Sequence, residues 1–92
     1  MKVDVYDTYA TSVDGSTIHF DVLVPAGTSG EIAFRFAKEW LSRVGLSQAD
    51  LKQSRCNFCH TESASQHVIT NIEVDGYHIL RMEGCPKENS GA

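Results

Sequence analysis

The segment Cys56-Asn57-Phe58-Cys59-His60 gathers the most reactive side chains of the sequence into five residues. Two thiolates two residues apart can grip one Zn²⁺ at about 2.3 Å each, because the intervening turn aims both sulfurs at one point. Cys85 offers a third thiolate. The fourth corner of a tetrahedral site falls to His60, His67 or Glu88. Cys56, Cys59, Cys85 and His60 are thus the candidate metal ligands, and Zn is the candidate cofactor.

Other chemistries compete for the same residues. Cys-x-x-Cys-His is also the attachment signature of c-type haem, with His60 as axial ligand. That reading lacks an export signal, and a first half committed to two strands and a helix leaves little chain to wrap a haem. A thiol oxidoreductase needs a helix N-terminus beside the first thiol to favour its thiolate. Here the next helix begins near Ser63–Ser65, too far from Cys56. The alternative without catalysis is a structural or interaction protein whose cysteines are reduced, buried hydrophobes.

His19 and Asp21, with Asp4 and Tyr6 on the partner strand, form a second polar set. It reads as a solvated strand face that becomes a pocket only if something covers it. No Gly-x-Ser-x-Gly elbow, Gly-x-Gly-x-x-Gly loop or P-loop lysine occurs in the chain. No close carboxylate pair stands out. The balance favours a binding or structural protein over an enzyme.

The elements that must position these residues follow from periodicity. Residues 2–9 alternate, with Val3, Val5 and Tyr9 in phase. In 17–24, Ile18, Phe20, Val22 and Val24 share one face and His19, Asp21 and Leu23 the other. Asp14-Gly15 lies between them, so the chain opens on a β-hairpin. From residue 29 to 44 the period becomes helical. Ile32, Ala33, Phe36, Ala37, Trp40, Leu41 and Val44 make one apolar stripe, with Phe36 and Trp40 as core anchors. Thr28 and Glu31 have the spacing of a capping box, and Gly45-Leu46 suits a Schellman stop. Ser47-x-x-Asp50 suggests a single turn, and Lys52–Cys59 a short strand. Ser63 or Ser65 caps a second helix carrying Val68, Ile69 and Ile72, which ends at Gly76. Tyr77–Met82 is apolar on both faces and reads as an interior strand. The expected fold is α+β in the order β-β-α-β-α-β, with both helices packed on one face of a mixed sheet. One domain spans 1–86, and 87–92 is a flexible tail.

Composition narrows the partners. The net charge is −4, and the eight Lys and Arg are scattered. Phosphate backbones and anionic membrane surfaces need clustered cations, so neither nucleic acid nor membrane is expected. No apolar run reaches the roughly 18–20 residues of a membrane span. Asp4 and Asp7 interrupt any N-terminal signal core, which points to a cytoplasmic protein. Three cysteines cannot all pair within one chain. Phe34 lies off the helical stripe and reads either as an exposed aromatic at a homodimer contact or as the edge of a wide stripe; a sheet edge is the other candidate contact for a homodimer.

Several segments together resemble a known family. They are Val3–Tyr9, His19-Phe20-Asp21-Val22, Phe36–Leu41, Cys56–His60 and Gly76-Tyr77 through Cys85. This combination is similar to a set of small bacterial proteins grouped as domain of unknown function two-thousand-and-twenty-four. The resemblance runs from about residue 3 to 85. It implies a small α+β domain and makes the joint presence of Cys56, Cys59, His60 and Cys85 a family pattern. It implies no activity, substrate or ligand.

Overall fold

The computed structural model describes residues 1–85. The expected order holds. Strands β1 (Lys2–Thr11) and β2 (Thr17–Pro25) form the hairpin, and helix α1 (Gly30–Arg43) follows. A 3₁₀ turn at Gln53–Arg55 leads into β3 (Cys56–Ser63), α2 (Gln66–Asp75) and β4 (His78–Arg81). The sheet order is β3-β1-β2-β4. Every pairing is antiparallel, so the sheet is not mixed.

The hairpin turn is built locally. Gly15 takes φ +88°, open to glycine at no steric cost. The Asp14 carboxylate accepts from the hydroxyls of Ser12 and Ser16 and from the Ser16 amide. These bonds hold its pKa down to about 2, the Ser12 hydroxyl contributing most.

Helix α1 starts one residue later than the capping-box spacing suggests. Ser29 is the N-cap, and its hydroxyl accepts from the Ile32 amide. The Thr28 hydroxyl instead bonds back to the Pro25 carbonyl. The stop is the expected Schellman motif: Leu46 N–H donates to the Leu41 carbonyl at 2.7 Å, Gly45 N–H to Ser42 at 3.2 Å, and Gly45 has φ +82°. Ala33 and Ala37 are fully buried, so the helix lies close on the sheet. Trp40 packs on Phe20 with ring centroids 4.7 Å apart. Phe36 stacks on Tyr77. Phe34 is half-buried against the same core, with Lys38 over its ring.

Register decides which face of β1 meets α1. Tyr6 pairs with Val22, Thr8 with Phe20 and Ala10 with Ile18, and these residues form the main core beneath α1. Val3 and Val5 pair with the Leu23 end of β2 on the opposite face. There they make a second cluster with Leu23 and Ile72 of α2. The two helices therefore do not share a face. The connection explains why: α2 joins β3 to β4, the two edges of the sheet, and must cross it. The α1 face is already filled, while Val3, Val5 and Leu23 need cover. Ser65 caps α2 through the Val68 amide, and Gly76 ends it at φ +90°.

Three other expectations shift. Asp50 forms a bridge with Thr11, and the helical turn falls at 53–55. Strand β3 begins at Cys56 and runs to Ser63; it is an edge strand, exposed after Cys56, which is why its apolar signal is thin. Strand β4 is also an edge, not an interior strand. Ile79 reaches the main core, whereas Leu80 and Met82 stay about half exposed.

Candidate functional site

The face opposite α1 carries all four histidines of the chain. His19 and Asp21 are in phase with Leu23, and His78 pairs with Leu23 from β4. His60 and Glu62 pair with Val5 and Val3 from β3. His67, on α2, stands 5.4 Å from the His78 ring, and Asn71 bonds His78 at 2.8 Å. Helix α2 covers the Val3–Val5–Leu23 end of this face. Toward the other end lie Asp7, Tyr9, His19 and Asp21.

Here three possible ligands converge. One donor atom each from Asp7, His19 and Asp21 lies within 4.8 Å of the others. Asp7 and Asp21 are direct cross-strand partners, and Tyr9 and His19 form the next pair. His19 Nε2 sits 2.6 Å from Asp7 Oδ1. The Tyr9 ring lies flat on the imidazole, with centroids 4.1 Å apart and planes 7° from parallel. The Arg55 guanidinium lies over Tyr9 in turn. Asp21 is only 8% exposed. Burial, then the Asp7 charge and a hydrogen bond shared with Asp7, push its pKa up to about 6, while His19 and His60 pull the other way.

The polar set expected from sequence thus changes by one β1 phase. His19 and Asp21 belong to it; Asp4 and Tyr6 do not. Asp4 faces the α1 side, where it accepts from the Thr61 hydroxyl at 2.7 Å and the Gly27 amide at 2.9 Å. Those bonds lower its pKa, the Thr61 hydroxyl most. The Tyr6 hydroxyl donates to the Thr28 carbonyl. Asp7 takes the place of Asp4, and only the register of Asp7 with Asp21 reveals it.

The cysteine set is spread across the sheet. Cys56 is buried beside Thr8, whose hydroxyl lies 3.4 Å from the sulfur. Burial pushes this thiol's pKa up. Cys59 is exposed and occupies a β-bulge: Val5 pairs with His60 and Tyr6 with Phe58, leaving Cys59 unpaired between them. Its sulfur is 3.3 Å from His60 Nδ1. Cys85 follows β4 at the other edge and donates its thiol to the His19 carbonyl at 3.3 Å. Burial raises its pKa as well. Three strand spacings, about 14 Å, separate the β3 and β4 edges. The fold therefore brings Cys59 and His60 together and does not bring Cys85 to them. His67 stands with His78, and Glu88 lies outside the described residues, as does the proposed tail.

A groove of about 260 Å³ at the β4 edge is lined by Trp40, Arg43, Asn71, Tyr77, His78 and Arg81, among others. Its charges are engaged. Arg43 donates to the Tyr77 hydroxyl and pairs with Asp75, and Arg81 lies over Trp40. No helix among the described residues is long and apolar enough to cross a membrane.

Comparison with known proteins supports the architecture. The NMR structure of protein NE1680 from Nitrosomonas europaea, a target of the Northeast Structural Genomics Consortium, is similar at 43% identity and a TM-score of 0.82. The likeness covers 94% of this chain and 100% of that one. No curated protein matches. The model of the family described as Domain of unknown function (DUF2024) matches residues 1–82, and the chain belongs to that family.

Proposed function

We propose that this domain binds a divalent transition-metal ion, Zn²⁺ foremost, through Asp7, His19 and Asp21 on the sheet face left open by α2. The observation that carries this reading is the convergence of one donor atom each from Asp7, His19 and Asp21 within 4.8 Å, with Asp21 only 8% exposed. Like charges at such a distance need a proton or a cation between them. Two carboxylates and a neutral imidazole bring a charge of −2, which a divalent ion cancels. Nitrogen and oxygen donors suit Zn²⁺ and its first-row neighbours. Donors at about 2.0–2.2 Å from one metal stand roughly 3–3.5 Å apart. The three atoms now lie within 4.8 Å of one another, close to that spacing. The stacked Tyr9 ring holds His19 in place. Three protein ligands leave a coordination position for water or a bound anion.

The competing zinc reading uses Cys56, Cys59, Cys85 and His60. Titration with Co²⁺ separates the two. Binding at Asp7, His19 and Asp21 gives visible d–d bands without a thiolate charge-transfer band; it is lost in Asp21→Asn and His19→Gln and kept when all three cysteines become serine. Binding that shows the thiolate band and vanishes with the cysteines restores the thiol reading. No binding at all overturns both.

A further inference from the structure

We propose that Cys59 is a nucleophilic thiol, activated by His60 and Glu62, that exchanges with small disulfides and stops at a mixed disulfide. It rests on residues separate from the metal ligands proposed above. The geometry is a relay of three side chains on β3. His60 Nε2 lies 2.7 Å from Glu62 Oε1, and His60 Nδ1 lies 3.3 Å from Cys59 Sγ. Glu62 accepts the Nε2 proton and so fixes the tautomer whose Nδ1 can accept from the thiol. A nucleophile, a base and a group that orients the base, each within hydrogen-bond reach of the next, is the arrangement that activates cysteine elsewhere.

The backbone contributes as well. In a regular strand neighbouring side chains point to opposite faces. The bulge between Val5 and Tyr6 interrupts that alternation at Cys59, which lets its thiol meet the side chain of the next residue. The site is open: Cys59 is exposed, and the His60 and Glu62 side chains are about half exposed.

The step balances as thiol–disulfide exchange. The Cys59 S–H proton passes to His60 Nδ1. The sulfur attacks one sulfur of a small disulfide RS–SR, so a Cys59–S–S–R bond forms and the S–S bond of RS–SR breaks. The departing RS⁻ takes the proton from the imidazolium, and the disulfide is the oxidant consumed.

The fold also says why the reaction ends there. Cys56 lies three strand residues away, about 10 Å along β3. That exceeds the roughly 7 Å Cα limit for a disulfide. Its thiol is buried against Thr8 on the α1 side. Cys85 is held away from β3, its thiol on the His19 carbonyl of β2 with β1 between. Among the described residues no second thiol can resolve the mixed disulfide. The Cys-x-x-Cys spacing thus serves one reactive cysteine, not a dithiol pair.

The test is the reaction of the native chain with an aromatic disulfide that releases a coloured thiolate, followed by mass spectrometry after exposure to glutathione disulfide. One equivalent reacts fast at neutral pH and is absent in Cys59→Ser. The His60→Asn variant, with an unchanged circular dichroism spectrum, slows that equivalent about tenfold or more, and Glu62→Gln slows it about threefold. Glutathione is found on Cys59 alone. The proposal is overturned if Cys59→Ser keeps the fast equivalent, if His60→Asn reacts within twofold of the parent, or if a Cys56–Cys59 disulfide forms instead.

Discussion

Asp7 and Asp21 face each other across the central hairpin pair, and the imidazole of His19 closes on Asp7 from the next row. Without a bound cation the fold must hold this arrangement against its own repulsion. Burial first and the Asp7 charge second raise the Asp21 pKa to about 6. Between the ordinary carboxylate value and about pH 6 the folded chain keeps a proton that the unfolded chain has released. Stability from this group is therefore full at low pH and falls as pH rises through that window. Asp21→Asn removes the repulsion. It should raise stability at pH 7.5 by about 1–2 kcal/mol, discounted for solvent screening, and flatten the decline from pH 4.5. Urea unfolding at the two pH values measures both; a destabilised variant at pH 7.5 counts against the carboxylate clash.

Gly84 approaches β2 more closely than any side chain could. A Cβ there would meet the Thr17 carbonyl oxygen at 2.1 Å, and φ is +73°. The Gly84→Ala variant should lose about 1–3 kcal/mol. It should also expose Cys85, whose contact with the His19 carbonyl depends on this approach. Thermal unfolding reads the first effect and native-state labelling of Cys85 the second.

Phe20 is fully buried between the sheet and Trp40. Truncation to alanine removes the ring and leaves a cavity under α1. The expected loss is about 3–5 kcal/mol, seen as a lower denaturant midpoint. Val74 is 78% exposed on α2, so Val74→Ala serves as a control with little change.

Two adjacent residues compete for the start of α1, and substitution separates them. Ser29→Ala should cost about 1 kcal/mol, because the Ile32 amide loses its acceptor. Thr28→Ala should cost less, since its hydroxyl only bonds the Pro25 carbonyl within the turn. Equal losses would mean that the cap is shared.

Much of the architecture is readable from local pattern. The α1 stripe, its Gly45-Leu46 stop and the Ser65 and Gly76 limits of α2 all rest on short-range chemistry. What is not readable depends on pairing. Both phases of β1 are apolar, Val3 and Val5 on one side and Tyr6 and Ala10 on the other, because different helices cover the two faces. The strand's own alternation cannot say which phase joins Phe20. The same one-residue ambiguity concealed Asp7 behind Asp4. His19 and Asp21 were visible as a polar pair, but their third member appears only with the register. The cysteines mislead in the opposite sense: closeness in sequence places Cys56 and Cys59 on one strand, and strand geometry then holds their sulfurs apart. Tyr77–Met82 looked interior because Leu80 and Met82 are apolar, although they face outward at an edge.

The bulge at Cys59 also bears on how copies of this chain meet. Strand β3 is one of two free borders of the sheet, and eight unpaired-edge residues would ordinarily invite another chain to add a strand. The bulge divides that border into Cys56–Phe58 and His60–Ser63, so no unbroken stretch exceeds four residues. The opposite border, β4, is itself only four residues long. Neither can template a long intermolecular ladder. The irregularity that frees one thiol also guards the sheet against growing into a filament.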